Sequence, residues 1–241
     1  MQKKIYDFKL LLMLPFMMAL LSSCSSSSNN NDEDGGKEDK INVVGVWSDG
    51  KHFLSVNSDK FLTSYVAPNF IDCGNVIEDG KEIICHNVYF NKNTTYKILS
   101  IDKSKLNISV SYKDIAGESK SANLILNKVS ATPATSNHTL VGKNYTYRTS
   151  YIGNVNMAFS TYSIAQMTST SSNCAKYPIT LFYIFMNDNI YFQKFTQKGI
   201  QVPTIGGWTT DVDNGSVTVY KLSFGPDGSV VGHDVVTNDA L

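Results

Sequence analysis

The sequence predicts an all-β fold: two small antiparallel β-barrel or sandwich modules in tandem, with room for one short helix in the second. Three observations carry this expectation. From Ile41 onward, short apolar–polar alternations are separated by clusters of Gly, Asn, Asp and Ser, the rhythm of strands joined by turns. Charged residues make up 17% of the chain, below the usual content of about 25%, while Asn, Ser and Thr are abundant. Such a composition suits strands with polar outer faces better than charged amphipathic helices. A proline-containing stretch at 131–137, without apolar periodicity, reads as a linker that divides the pattern into halves.

The chain opens with Lys3, Lys4 and Lys9, followed by the apolar runs 10–14 and 16–21 around Pro15. This stretch is too short to span a hydrocarbon core of ~30 Å and leads into small residues, the pattern of a processed export signal over 1–23. Its end, Leu21-Ser22-Ser23-Cys24, resembles the lipobox of bacterial lipoproteins. The resemblance implies cleavage after Ser23 and acylation of Cys24 on sulfur and amine, which makes a membrane the first expected partner. Several buried acyl chains, each adding ~0.8 kcal/mol per CH₂, would hold the protein there firmly.

Residues 24–40 contain no apolar side chain after Cys24, so nothing offsets the entropy of ordering them; they read as a flexible tether. The sixteen residues that follow Cys24 would reach roughly 20–25 Å as a chain of this type. The acidic cluster Asp32-Glu33-Asp34, with Glu38 and Asp39 behind it, resembles the surface-export signal of Bacteroidota lipoproteins. That resemblance implies an outer-membrane lipoprotein facing either the periplasm or the cell surface.

The first module is expected over 41–130, with strands at 42–47, 52–57, 61–66, 76–77, 82–90, 95–101, 106–112 and 122–128. The run 106–112 alternates cleanly and turns Leu106, Ile108, Val110 and Tyr112 inward. Gly45-Val46-Trp47 at its start resembles the G-x-W that opens the first strand of lipocalins and of the lipocalin-like domains of Bacteroidota lipoproteins. The resemblance implies an antiparallel barrel whose base Trp47 closes, and a cavity for a small apolar or glycan ligand.

Besides Cys24, three cysteines remain: Cys73, Cys85 and Cys174. A three-residue hairpin loop at Glu78-Asp79-Gly80 would place Cys73 directly opposite Cys85, close enough for a disulfide. A two-residue Asp79-Gly80 turn would instead set Cys73 against His86. The first register is the favoured expectation, with Cys174 left as a buried thiol.

The second module is expected over 138–241. Its opening Leu140-Val141-Gly142-Lys143-Asn144-Tyr145 echoes 43–47, with an apolar pair, a glycine and then an aromatic residue; Asn144 stands where the tryptophan would be. Val155, Ala158, Phe159, Tyr162 and Ala165 fall at helical spacing after Asn154, a residue type suited to an N-cap, although a weaker alternation runs through the same stretch. The nearly continuous apolar run 177–186 reads as a central strand buried on both faces. Strands at 190–195, 216–224 and 229–236 follow.

Formal net charge is zero, and no basic run is present, which argues against nucleic acid as a partner. The four histidines, His52, His86, His138 and His233, lie far apart and make no metal-ligand spacing. No nucleophile elbow, zinc-protease helix or phosphate loop occurs. Carboxylates for glycoside chemistry would come from Asp72, Glu78, Asp79, Asp188, Asp211 or Asp213, most of them in turn signals. Asp211-Val212-Asp213-Asn214-Gly215 resembles the start of a calcium loop, but Leu222 stands where the closing glutamate belongs. Neither a metal nor a cofactor is therefore expected, and no catalytic residue can be placed. Among aromatics, Trp47 reads as core, whereas Trp208, in a Gly-rich stretch, is the candidate for ligand binding. The expectation is a non-enzymatic binding module for a glycan, a small apolar ligand or a partner protein; a structural or adhesive surface subunit is the alternative.

Overall fold

A computed structural model of the chain describes residues 42–114, 117–149, 153–169, 179–193, 202–204, 207–209 and 217–236. The signal, Cys24 and the tether lie outside this set, as do Cys174, Asp211 and Asp213. Every regular element within it is a β-strand.

The first eight strands are β1 (Gly45–Ser48), β2 (Phe53–Val56), β3 (Phe61–Val66), β4 (Phe70–Asp79), β5 (Glu82–Asn87), β6 (Lys92–Ile101), β7 (Lys105–Lys113) and β8 (Ser119–Val129). Each pairs antiparallel with the next, and β1 pairs back onto β8, so the meander closes into a barrel. Closure leaves this sheet without edges. Alternation sorts the side chains: Leu54, Val56, Leu62, Val66, Ile83, Tyr96, Ile98, Leu106, Ile108, Val110, Leu124 and Leu126 fill the interior. Trp47, only 1% exposed, packs among them and donates from Nε1 to the Val43 carbonyl at 2.9 Å. The Lys128 ammonium lies 5.2 Å from the Trp47 ring centre at the β1–β8 joint.

The β4–β5 hairpin corrects the disulfide expectation. Asp79 pairs with Glu82 and Val76 with Cys85, so the turn is Gly80-Lys81, a register that neither sequence alternative contained. Gly80 has φ +55°, the glycine-first arrangement of a type II′ turn. Cys85 consequently points into the barrel, whereas Cys73 points out through the other face of the wall, beside Ser163. Both are buried free thiols, and burial pushes both well above the ordinary thiol value. At Gly74 the walls come close: a Cβ there would sit 2.1 Å from the His86 carbonyl oxygen, so only glycine fits.

The second module contains β9 (Asn144–Thr149), β10 (Gly153–Phe159), β11 (Ile164–Ser169), β12 (Ile179–Met186), β13 (Asn189–Gln193), β14 (Val202–Thr204), β15 (Gly207–Thr209), β16 (Val217–Phe224) and β17 (Val230–Val236). Strands β9 to β13, then β16 and β17, form a seven-stranded antiparallel sheet that curls nearly shut; β14 and β15 form a separate hairpin. No helix occurs among the described residues, so the expected helix at 154–165 is corrected. Val155, Met157 and Phe159 alternate into the core, and Met157, which the helical spacing skipped, pairs with both Tyr145 and Met167. Cross-strand partners on two sides favour the extended form over a weak helical period.

The two modules belong to one compact unit, Lys40–Leu241. Strand β12 is buried on both faces, as its composition predicts: Leu181, Tyr183 and Phe185 face the second core, while Phe182, Ile184 and Met186 face the barrel. Against the latter lie Val46, Phe53, Phe61, Tyr65 and Ile71 from the outer barrel wall. Tyr191 from β13 packs at 5.3 Å from Phe53 and 5.1 Å from Tyr65, measured between ring centres. The linker is pinned here too, since Ala134 N–H donates to Ser55 Oγ at 2.9 Å and Asn57 Nδ2 donates to the Ala134 carbonyl at 3.2 Å.

Candidate functional site

One polar cluster interrupts the barrel's apolar interior. On β4, Phe70, Asp72 and Val76 share the inward face, which carries Asp72 to zero exposure. A carboxylate there requires donors, and its neighbours supply them. Asn87 Nδ2 donates to Asp72 Oδ1 at 2.7 Å, and Tyr96 Oη donates to Oδ2 at 3.0 Å. Since the Tyr96 proton is committed to Asp72, Ser64 Oγ donates to Tyr96 Oη across 2.6 Å. The Cys85 thiol and the Thr94 hydroxyl complete the ring of donors.

Electrostatics oppose the charge even so. Desolvation raises the Asp72 carboxyl above its ordinary value, and the hydrogen bonds from Asn87, Cys85, Tyr96 and Thr94 only partly counter it. Desolvation together with the nearby Asp72 pushes the Tyr96 phenol well up, so it stays a protonated donor. Asp72 makes no ion pair among the described residues.

Asn87 links this cluster to the surface. Its Oδ1 accepts from the Phe90 N–H at 3.1 Å, fixing the turn that leads into β6. Above it a pocket of about 240 Å³ opens at the barrel mouth. Asp72, Asn87 and Thr94 lie at its floor, Phe70 and Phe90 give it apolar walls, and Asn69, Asn93, Lys92, Lys113 and Asp114 form its rim. The Phe70 ring stacks on Tyr112 with centres 4.0 Å apart and planes at 19°. Gln193 from the second module closes one side and donates from Nε2 to the Asn69 carbonyl at 3.0 Å. Beneath the floor lie the core side chains named above, so the pocket is a cup with polar groups at its floor and rim and apolar walls between them.

No family model, curated protein or solved structure matches the chain. The site therefore has to be read from its own chemistry. Amide groups, one hydroxyl, two lysines and two aromatic walls can hold a small polar molecule through directed hydrogen bonds and ring contacts.

The residues singled out from the sequence are scattered. Trp208 stands on β15 opposite Pro203 in the small hairpin; its side chain lies outside the described residues. His52 bonds Asp49 at 2.8 Å, His86 bonds Asn93 at 2.9 Å, His138 bonds the Tyr162 carbonyl at 3.1 Å and His233 bonds Tyr145 at 2.6 Å. Among the described residues no three His, Cys, Asp or Glu side chains converge as a metal site would require. Asp72 appeared in the sequence only as one carboxylate among six. Its signal was the spacing Phe70-x-Asp72-x-Gly74-x-Val76, which puts the acid on an apolar inward face.

Proposed function

We propose that this chain is a lipid-anchored lipoprotein of the bacterial outer membrane whose first barrel binds a glycan at its mouth without transforming it. The observation that carries the binding reading is the cup itself: a polar rim of amides and lysines, aromatic walls, and a floor held by the Asp72–Asn87–Tyr96 network. Sugars present hydroxyls to such amides and C–H faces to such rings. The amides and lysines around the rim favour this ligand class over a wholly apolar one. Closure of β1 onto β8 removes the strand edges that an adhesive subunit would use, which favours binding over assembly for this module. The signal-like N-terminus and the lipobox at Cys24 support the anchor, and the lipocalin-like G-x-W at 45–47 is compatible with an eight-stranded up-and-down barrel.

The binding reading is tested by isothermal titration of full-length protein in detergent with a panel of oligosaccharides, in parallel with Asn93→Ala. A hit whose affinity drops about tenfold in the variant, the equivalent of ~1.4 kcal/mol, supports the mouth as the site. A hit untouched by the variant and by Asn69→Ala places binding elsewhere. The anchor is tested by Cys24→Ala, which is expected to leave the membrane fraction; a variant that still sediments with membranes would overturn it. Protease treatment of intact cells then separates the cell-surface face from the periplasmic one.

A further inference from the structure

The mouth pocket does not end at its rim. A second depression of about 570 Å³ adjoins it, and Lys92, Asn93 and Lys113 line both. Together they form one groove running from the Asp72 floor over the ends of β6, β7 and β8. The register builds its far half: Ser111 stands opposite Ser121, Tyr112 opposite Lys120 and Lys113 opposite Ser119. Exposed hydroxyls of Ser111, Ser119 and Ser121 therefore line the groove beyond the lysines.

Three lysines, Lys92, Lys113 and Lys120, line this groove together with two acids, Asp114 on the rim and the buried Asp72. Lys120 is held by Glu118 at 2.6 Å and by Asp114 at 3.6 Å, which occupies the two acids nearest the far half. Asp72 is fully buried, with its oxygens bonded inward to Asn87 and Tyr96. Lys92 and Lys113 are left without an acidic partner among the described residues, at the passage where the two depressions meet. A neutral sugar would satisfy the amides and hydroxyls and leave both ammonium groups unused. A carboxylate or sulfate on the sugar would meet them.

Building on the reading of the mouth as a glycan site, we propose that the groove takes an acidic glycan, with Lys92 and Lys113 binding its anionic groups where the two depressions join. Two lysines on a near-neutral chain suit a few charges spaced along a sugar chain rather than a phosphate backbone.

The test titrates full-length protein in detergent, at low and at high salt, with three probes: an oligogalacturonate hexasaccharide, a chondroitin sulfate hexasaccharide and neutral cellohexaose. At low salt the acidic probes should bind at least about tenfold more tightly than cellohexaose, and the gap should shrink as salt screens the lysines. The double variant K92Q/K113Q should erase the gap and K92R/K113R should keep it; circular dichroism checks that both retain the fold. The two acidic probes separate carboxylate from sulfate as the preferred group. Cellohexaose binding as tightly as the acidic probes, or an acidic preference that survives K92Q/K113Q, overturns the proposal and leaves a neutral-glycan mouth standing. Absence of binding by all three probes overturns the glycan reading along with it.

Discussion

The two modules solve one problem in two ways. Both are antiparallel meanders that curl around an apolar core, yet the first is closed by backbone pairing of β1 with β8, while in the second β9 and β17 do not pair with each other among the described residues. There the gap is spanned by side chains: Tyr145 Oη meets His233 Nδ1 at 2.6 Å, and Lys143 donates to the Gly228 carbonyl. The buried polar groups differ as well. The barrel buries an acid, Asp72, and the second module half-buries an imidazole, His138. Closure by a ladder leaves the first module's mouth open to a pocket, whereas in the second module Lys143, Tyr145 and His233 are drawn into the seam.

The largest effect expected from this contrast comes from Trp47. It is buried in the barrel core beside the β1–β8 joint, and Trp47→Ala should cost about 3–5 kcal/mol, as for other large core truncations. Chemical denaturation measures this directly. A loss below about 1 kcal/mol would mean that the joint holds without its aromatic plug.

Asp72 sharpens the comparison through pH. Its folded value is raised by desolvation, so the folded state binds the proton more tightly than the unfolded chain does. Its contribution to stability is therefore fully present below the ordinary value of 3.8 and is lost as pH rises through the raised folded value. Asp72→Asn should flatten that slope. It should also keep the fold, because the new amide can donate to Tyr96 Oη, whose proton then turns to Ser64. Asp72→Ala lacks that option and strands Asn87 and Tyr96, at a cost of about 1–3 kcal/mol. A pH series of denaturation curves on the three proteins decides this, and an unchanged slope in Asp72→Asn would remove Asp72 as the source.

His138 should respond with the opposite sign. Desolvation lowers its value, outweighing its bond to the Tyr162 carbonyl. Nε2 donates to that carbonyl, so Nδ1 is the acceptor for the Leu140 N–H at 3.3 Å. Protonation at Nδ1 would turn donor against donor. Stability from the neutral ring is present above the ordinary value of 6.5 and is lost as pH falls through the lowered folded value. Acidification should therefore speed amide exchange in β9 to β12 before it does so in the barrel, and His138→Gln should delay that onset. Exchange that rises first in β1 to β8 would contradict this order.

Much of this architecture was legible because period-two patterns are strong where one face is buried. The run 106–112 and the two-sided apolar run at 179–186 lie where their alternation and composition put them. Three features escaped for physical reasons. Strand β10 carries Phe159 and Ala158 at spacings that a helix also accepts, and only its neighbours decide. The middle of β4 reads Asp-Cys-Gly-Asn, a turn-like composition, because it supplies the polar floor and the close approach at Gly74 instead of ordinary packing. The register of the β4–β5 hairpin depended on which residues flank Gly80, and a shift of a few positions decided whether two cysteines could meet. The pocket was the least legible of all, since the β6–β7 hairpin that carries Asn93 and Lys113 meets Asn69 only through the curl of the sheet.

The smallest expected effect tests the seam itself. Tyr145→Phe keeps the ring that stacks on Tyr147, with centres 5.2 Å apart, and removes only the hydroxyl that reaches His233. One hydrogen bond of this kind is worth about 0.5–1.5 kcal/mol net, and the half-buried setting of His233 favours the lower end. Global stability should hardly move, whereas amide exchange along β9 and β17 should quicken, because these strands have no backbone ladder between them to share the load. In the barrel, β1 and β8 have that ladder and should be unaffected by the substitution. If β9 and β17 exchange as slowly in the variant as in the parent, the hydroxyl is dispensable and packing of Tyr145, Tyr147, Tyr220 and His233 alone holds the second module shut.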